Sequence, residues 1–476
     1  MQYLGLNFVR FLRGITVGGY LNMKKGMFEM SIRVGMVSLG CTKNQVDAER
    51  MLYDIREAGY QLVSDAALAD IAVINTCGFI ESAKQEAIDT ILEFATLKKE
   101  GRIKKIVITG CLAERYREEV SELIPEADAV VGIGCNSDIV SILEKIMADE
   151  RIQAFGDKEN LPLTGDRVQT TLSFSSYLKI AEGCDNHCSY CAIPYIRGRF
   201  RSVPMDELIE EAKRLVSNGV RELNVIAQDT TRYGVDLYGK LMLPELLTEL
   251  CKIEQLKWIR VLYCYPERVT DELLDVMARE EKIVKYMDLP IQHCDGEILK
   301  RMNRAGDEKT LRELIEKIRT KVPGITLRTT LITGFPGETE EQFGKLAEFV
   351  RDMKFDRLGC FAYSAEEKTP AADMDGQLDE DVKQRRADVI MEQQMIIAVK
   401  KNKELVGSTL EIVIEGFDRY GECYFGRSAA DAPEIDGKIF FTSPDKRQIP
   451  GKFVKVKITD MLDYDLIGEI ADEFAK

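Results

Sequence analysis

The chain has 476 residues, with 65 Lys and Arg against 80 Asp and Glu, 12 Cys and only two His. That length holds about three domains, and 45% hydrophobic with 30% charged residues excludes both a disordered chain and a membrane bundle. A net charge of −15 argues against broad binding to nucleic acid, two histidines exclude a His-rich metal enzyme, and twelve cysteines in so long a chain read as core residues or metal ligands in a reducing cytoplasm, not as a secreted disulfide framework.

Residues 1–32 are expected to be a disordered extension. Arg10, Arg13, Lys24 and Lys25 against Glu29 give the first thirty residues a charge of +3, so the rest carries −18. Arg10 and Arg13 interrupt the apolar run that a signal peptide needs. Met23, Met27 and Met30 are alternative starts.

A first domain is expected over 33–145. Three β-branched runs, from Arg33, Asp70 and Lys104, end at Cys41, Cys77 and Cys111. Helical patterns over 45–58, 80–97 and 114–123 separate them, which predicts a doubly wound α/β sheet. Ligands bind at the carboxyl edge of such sheets, and three thiols brought there are soft ligands for an iron–sulfur cluster or zinc. One Cys at a strand end is ordinary packing; three in register favour ligation. Ala129–Gly134 leads to Cys135 in the same way, but Gly132 and Gly134 read as a tight turn and rank it lower.

A linker over 146–172 precedes the strongest motif, YLKIAEGCDNHCSYC over Tyr177–Cys191. A strand feeds Cys184, Cys188 and Cys191, spaced C-x3-C-x2-C. Three ligands on one tight loop hold three irons of a cubane and leave the fourth open to chelate a small molecule. Zinc sites usually take four ligands; no fourth Cys is near, and His187, inside the loop, reads as a loop residue. Tyr190 packs on a bound purine or on the protein core; both readings stand.

Five further strand patterns follow, over 222–227, 258–262, 285–289, 325–331 and 355–361, with amphipathic helices such as Met205–Val216 between them. With 177–181 they make six βα units, an open TIM-like barrel over 173–404 whose last part, 377–404, is a connector helix. Polar residues fall at the strand ends: Gln228 and Asp229, Glu267, Gln292 and His293, Thr333–Glu338 and Ser364. Arg328 sits in an apolar strand and needs a buried partner. The Gly334–Gly337 turn lets backbone approach a ligand or is a plain βα turn. Cys251, Cys264, Cys294 and Cys360 read as core cysteines.

From 405 to 476 short alternating runs separated by Gly, Asp and Pro predict a small β-barrel. This module holds nine Lys and Arg against fourteen Asp and Glu. Asp431, Glu434 and Asp436 share one turn-rich segment, a loop that complements a basic partner or is an ordinary solvated hairpin.

The loop Cys184, Cys188, Cys191 resembles the signature of the radical S-adenosylmethionine (radical SAM) superfamily. Cys41, Cys77 and Cys111 resemble the amino-terminal domain of its methylthiotransferase branch, and the likeness runs from about Arg33 to the carboxyl end. The last module resembles the TRAM domain, and its DAPEIDG string is similar to the branch that modifies a ribosomal protein. The resemblance implies two 4Fe–4S clusters, one on each Cys triad, and S-adenosylmethionine held near Tyr190, Gln228, Asp229, Gln292 and Arg328. Gln228 and Asp229 would take its ammonium group, and Arg328 its carboxylate or else a structural acid. It implies a methylthio group added to the β-carbon of an aspartate in the basic ribosomal protein S-twelve, free or in the small subunit, with Asp431, Glu434 and Asp436 contacting it. A 5′-deoxyadenosyl radical would take the hydrogen, since no side-chain base reaches such a C–H bond. Electrons would come from a flavodoxin- or ferredoxin-type donor; no membrane is implied, and RNA binding stays open. Thr42 stands where the family often has proline. Two alternatives remain: a tRNA adenosine methylthiotransferase of the same architecture, and a non-catalytic iron–sulfur protein that binds the ribosome.

Overall fold

The computed structural model describes residues 31–445 and 447–471; most of the expected extension, 1–30, lies outside the described residues. The chain divides into two compact units. One runs to Val168 and takes in Tyr195–Arg197; the other comprises Gln169–Pro194 and everything from Gly198 on.

In the first unit, β1 (Arg33–Ser38), β2 (Gln61–Val63), β3 (Ile71–Thr76), β4 (Lys105–Gly110), β5 (Ala129–Val131) and β6 (Ile152–Ala154) form one sheet in the order β2-β1-β3-β4-β5-β6. Every pairing is parallel. β3 is buried along its whole length, as the unbroken apolar run requires of a strand covered on both faces. Ile74, Ile106 and Ile108 pack with Ile91 and Phe94 in one core cluster; Val73, Val107 and Val131 pack with Met51, Ile55 and Ile142 in the other.

Two expectations change here. β6 lies in the stretch read as a linker; three residues of mixed polarity give too weak an alternation to be seen in the sequence. The helix expected over 114–123 is two short helices, Cys111–Arg115 and Arg117–Leu123, broken at Tyr116, whose φ −119°, ψ 33° is not helical.

In the second unit, β7 (Ser175–Lys179) is followed by a short antiparallel pair, β8 (Ala181–Glu182) and β9 (Arg201–Ser202). Then come β10 (Glu222–Ile226), β11 (Trp258–Val261), β12 (Ile283–Asp288), β13 (Thr326–Thr333) and β14 (Arg357–Ala362). β7 and β10 to β14 make a six-stranded sheet in sequential order, all parallel, and no pairing joins β14 back to β7. The intervening helices start on sequence-encoded caps: Asp307 with Thr310, and Thr339 with Gln342, form capping boxes. A 26-residue helix, Glu380–Leu405, leads to a closed barrel of β15 (Thr409–Asp418), β16 (Cys423–Ser428), β17 (Ile439–Thr442), β18 (Phe453–Leu462) and β19 (Asp465–Ile470). Ile412, Ile414, Phe441, Val456 and Ile458 fill its core. Among the described residues no helix is long and apolar enough to cross a membrane.

The segment after β16 corrects a reading of the sequence. Asp431 and the Asp436 side chain do not face outward to a basic partner, while Glu434 stays exposed. Asp431 is 3% exposed, pairs with Arg357 at 2.5 Å and accepts from the Ser428 hydroxyl at 2.7 Å. Asp436 accepts from the Tyr286 hydroxyl at 2.6 Å and lies 3.8 Å from Arg328. The Tyr177 hydroxyl donates to Glu434 at 3.5 Å. Beside them, Arg427 and Arg260 share the buried carboxylate of Glu222. The parallel strands carry a row of polar side chains that are out of water, and the turn-rich segment supplies the charges that satisfy them.

Candidate functional site

In the first unit the strand order reverses between β1 and β3, the switch point where such sheets bind ligands. Cys41 follows β1, Cys77 follows β3 and Cys111 follows β4. Cys41 caps the helix Thr42–Glu57, and Cys111 opens the helix that begins after Gly110. Two glycines let these ends close up. Gly40 has φ +93°, and a Cβ there would sit 2.7 Å from the Cys77 Cβ; Gly110 also has φ +93°, and a Cβ would sit 2.5 Å from the Asn75 side chain. Asn44 ties the edge together, donating to the carbonyls of Leu39 at 2.8 Å and Thr76 at 3.2 Å. Burial, then the neighbouring Cys111 and Cys41, pushes the Cys77 thiol up to about 12; burial also raises Cys111. Cys135 is buried, and a Cβ on Gly156 would fall 2.9 Å from its sulfur.

In the second unit Cys184, Cys188 and Cys191 occupy a loop that follows β8 and is held at almost every residue. The Cys184 amide donates to Gly198 at 3.1 Å and the Cys191 amide to Cys188 at 3.0 Å. Ser189 is fixed by its amide to Met302 (3.0 Å) and its hydroxyl to Arg301 (2.8 Å), while its carbonyl accepts from Ala371 (2.9 Å). Asn303 donates to the carbonyls of Asn186 and His187, and His187 takes a positive φ of 49°. Burial pushes the Cys184 thiol up to about 11 and raises Cys191 further. The Tyr265 hydroxyl lies 3.6 Å from the Cys188 sulfur, with the Arg304 guanidinium over the Tyr265 ring.

The residues expected around S-adenosylmethionine divide. Gln228 donates to Glu182 at 3.0 Å, which leaves its Oε1 with no partner and open to a donor. Gln292 is partly buried with φ 69°. Tyr190 is partly buried beside Cys188 and Cys191, its hydroxyl raised by burial and then by Cys188. Asp229 is corrected: it is fully buried and committed to the cysteine loop. It accepts from Asn186 at 2.9 Å, Arg268 at 2.8 Å and Thr231 at 2.7 Å, and Arg268 also donates to Asn186 at 2.9 Å. Arg328 takes the structural-acid alternative, pairing with Asp288 at 2.8 Å. Sequence reasoning missed Asn186, Arg268, Asn303 and Arg304; the one available signal was the polar cluster after Tyr265-Pro266.

Removing Arg268 leaves the Asp229 carboxylate buried with one charge partner fewer, a loss of about 3 kcal/mol or more for such a pair. Arg268→Leu is expected to lose iron from the loop several-fold faster on buffer exchange. Thiol-labelling of Cys184, Cys188 and Cys191 in the iron-free protein checks the cause, with faster labelling the expected result.

Each triad fits a cluster by its donor chemistry. Thiolates are the ligands of iron–sulfur clusters; among the described residues no group of three donors is placed to hold a single metal ion. Cys111 and Cys41 are close enough to raise the Cys77 thiol, and Cys188 and Cys184 to raise Cys191, so a cation between them would favour the thiolates.

An open parallel sheet with a three-cysteine loop after its first strand defines a radical SAM enzyme. Residues 178–350 match the radical SAM superfamily, 33–132 match the uncharacterized protein family UPF0004 and 406–471 match the TRAM domain. The radical SAM methyltransferase TsrM from Kitasatospora setae shares the fold at a TM-score of 0.54 and 12% identity, covering 82% of this chain and 79% of its own. A ribosomal protein uS12 methylthiotransferase RimO from Lachnoclostridium phytofermentans is 51% identical, over 92% of this chain and 99% of its own length. Those of Clostridioides difficile and Thermoanaerobacter are 48% and 49% identical, over 93% and 92% of this chain and 100% and 99% of their own. The chain belongs to the RimO family of radical SAM methylthiotransferases.

Proposed function

We propose that this chain adds a methylthio group to the β-carbon of an aspartate in ribosomal protein uS12, using two 4Fe–4S clusters and S-adenosylmethionine. What carries this reading is the pair of three-thiol sites, one at strand ends of a parallel sheet and one on the loop after β8, in a chain alike to uS12 methylthiotransferases along almost its whole length. Cys184, Cys188 and Cys191 hold the cluster that receives S-adenosylmethionine; Cys41, Cys77 and Cys111 hold the cluster beside which sulfur is delivered. Loaded with clusters, Cys184, Cys188 and Cys191 would hold the group that supplies reductive cleavage of S-adenosylmethionine, and Cys41, Cys77 and Cys111 the group at which sulfur would be supplied. A second S-adenosylmethionine donates the methyl group, and a flavodoxin- or ferredoxin-type protein donates electrons.

The protein's own part is positioning. The Gln228 Oε1 is a ready acceptor for the methionyl ammonium, and Glu182, held by Lys179 at 2.7 Å, fixes the Gln228 amide. Gln292 follows β12 of the same sheet, and Tyr190 lies on the cysteine loop between Cys188 and Cys191. Asp229 and Arg268 keep the loop in place before any ligand arrives, so little ordering is left to be done on binding.

Mass spectrometry of uS12 and of tRNA from a strain lacking this chain tests the reading. A methylthio mass missing from uS12 and restored by the wild-type chain is the expected result. Intact uS12 with the mass missing from tRNA overturns it.

A further inference from the structure

Arg197 is 2% exposed and belongs to the first unit. Its Nη1 pairs with Asp47 at 2.6 Å. Its Nη2 donates to Asn44 Oδ1 at 3.2 Å and to the Cys111 sulfur at 3.5 Å. Asn44 in turn clasps the carbonyls of Leu39 and Thr76, next to Cys41 and Cys77. One guanidinium therefore reaches a ligand sulfur directly and the other two ligand loops through a single amide. A structural counter-ion for Asp47 would not need to aim its second nitrogen at a cysteine.

We propose that Arg197 is a positioning residue that sets the reduction potential of the cluster on Cys41, Cys77 and Cys111, by a buried N–H···S bond and a positive charge whose strength Asp47 tempers. The inference rests on the second-cluster reading above. Hydrogen bonds to cluster sulfurs and nearby charge are the protein's main means of moving such potentials. A donor and a cation at the thiolate favour the state with one more electron, and a carboxylate beside the cation opposes it. Arg197 and Asp47 therefore act with opposite sign. A purely mechanical clamp predicts no such opposition, because loss of either partner would loosen the same contact.

The test uses the full chain with Cys184, Cys188 and Cys191 all changed to Ala, so that the second site alone holds iron. Iron content and absorbance come first. A protein that binds no iron overturns the second-cluster reading, and the inference with it. With iron bound, the midpoint potential is measured by dithionite titration. Arg197→Met is expected to lower it by about tenfold in the reduction equilibrium, about 59 mV for one electron. Asp47→Asn, which keeps the guanidinium, is expected to raise it. Arg197→Lys, which keeps charge and loses the planar fork, is expected to fall between the parent and Arg197→Met. Shifts of the same sign in Arg197→Met and Asp47→Asn, or no shift with iron intact, overturn the proposal. If Arg197→Met loses its iron, Asp47→Asn decides: a raised potential supports the proposal and an unchanged or lowered one overturns it.

Discussion

Cys184→Ala is expected to abolish release of 5′-deoxyadenosine from S-adenosylmethionine under dithionite, and methylthiolation with it. Three thiolates on one loop are the smallest set that holds a cubane with one iron open. Two leave it under-ligated, and the loop's other donors are taken up: His187 is turned by a positive φ while Asn303 holds its carbonyl, and Asp185 accepts from the Phe200 amide at 3.0 Å and pairs with Arg232 at 3.3 Å. The loss is specific because the loop's frame does not depend on the thiol. Backbone and side-chain bonds from Met302, Arg301, Ala371, Asn303 and Arg268 remain. The variant is therefore expected to stay folded, with an unchanged circular dichroism spectrum, and to retain iron at the second site proposed on Cys41, Cys77 and Cys111. Residual 5′-deoxyadenosine at more than a few per cent of wild type would show that the reductive site lies elsewhere.

The second large effect falls on stability. Glu222 is fully buried and accepts from Arg427, Arg260 and the Ser175 hydroxyl. Burial pushes its carboxyl up, but the charge and hydrogen bonds of Arg427, with the charge of Arg260, outweigh it and hold it at about 2 against an ordinary 4.5. Arg427→Met strips away the nearer cation and leaves a buried carboxylate under-compensated, at a cost of about 3–5 kcal/mol. A clear fall in the thermal midpoint at pH 7 is the expected result. Glu222→Gln is expected to destabilise as well, because it leaves two buried guanidinium groups short of an acceptor. The double variant Glu222→Gln/Arg427→Met is expected to cost less than the sum of the two single losses, since it removes one of the two guanidinium groups that Glu222→Gln strands and leaves only Arg260 short of a carboxylate. The pH dependence follows from the depressed folded value. The contribution is complete above about 4.5, where an unfolded Glu is ionised, and is lost as pH falls toward 2. Glu222→Gln should flatten the stability profile in that window. A wild-type midpoint for Arg427→Met would overturn this account of the network.

The same network explains why the acidic composition misleads. In the sequence, Asp431, Glu434 and Asp436 look like a solvent-facing patch, because a turn-rich segment with three carboxylates usually is one. Nothing local shows that Tyr177, Tyr286, Arg328 and Arg357 will meet them. Those partners lie 74 to 257 residues away along the chain.

Sequence alone was enough for most of the elements and for the strand ends and loop on which the two Cys triads stand. Strand runs ending at Cys41, Cys77 and Cys111 lie within three residues of the observed strands, and all six strands of the second sheet overlap the apolar runs that predict them. Such runs are local signals: period, β-branching and flanking turns act over a few residues. Ligand spacing on one loop is equally local. Side-chain allegiance is not. Asp229 reads as a ligand-binding carboxylate from its place after a strand, yet its charge is taken by Arg268 and Asn186. No local signal marks Arg197 in the sequence, yet its nitrogen lies at Cys111. Which buried charge meets which is decided only when distant segments pack. Water is then excluded, and every charge left inside must find a partner.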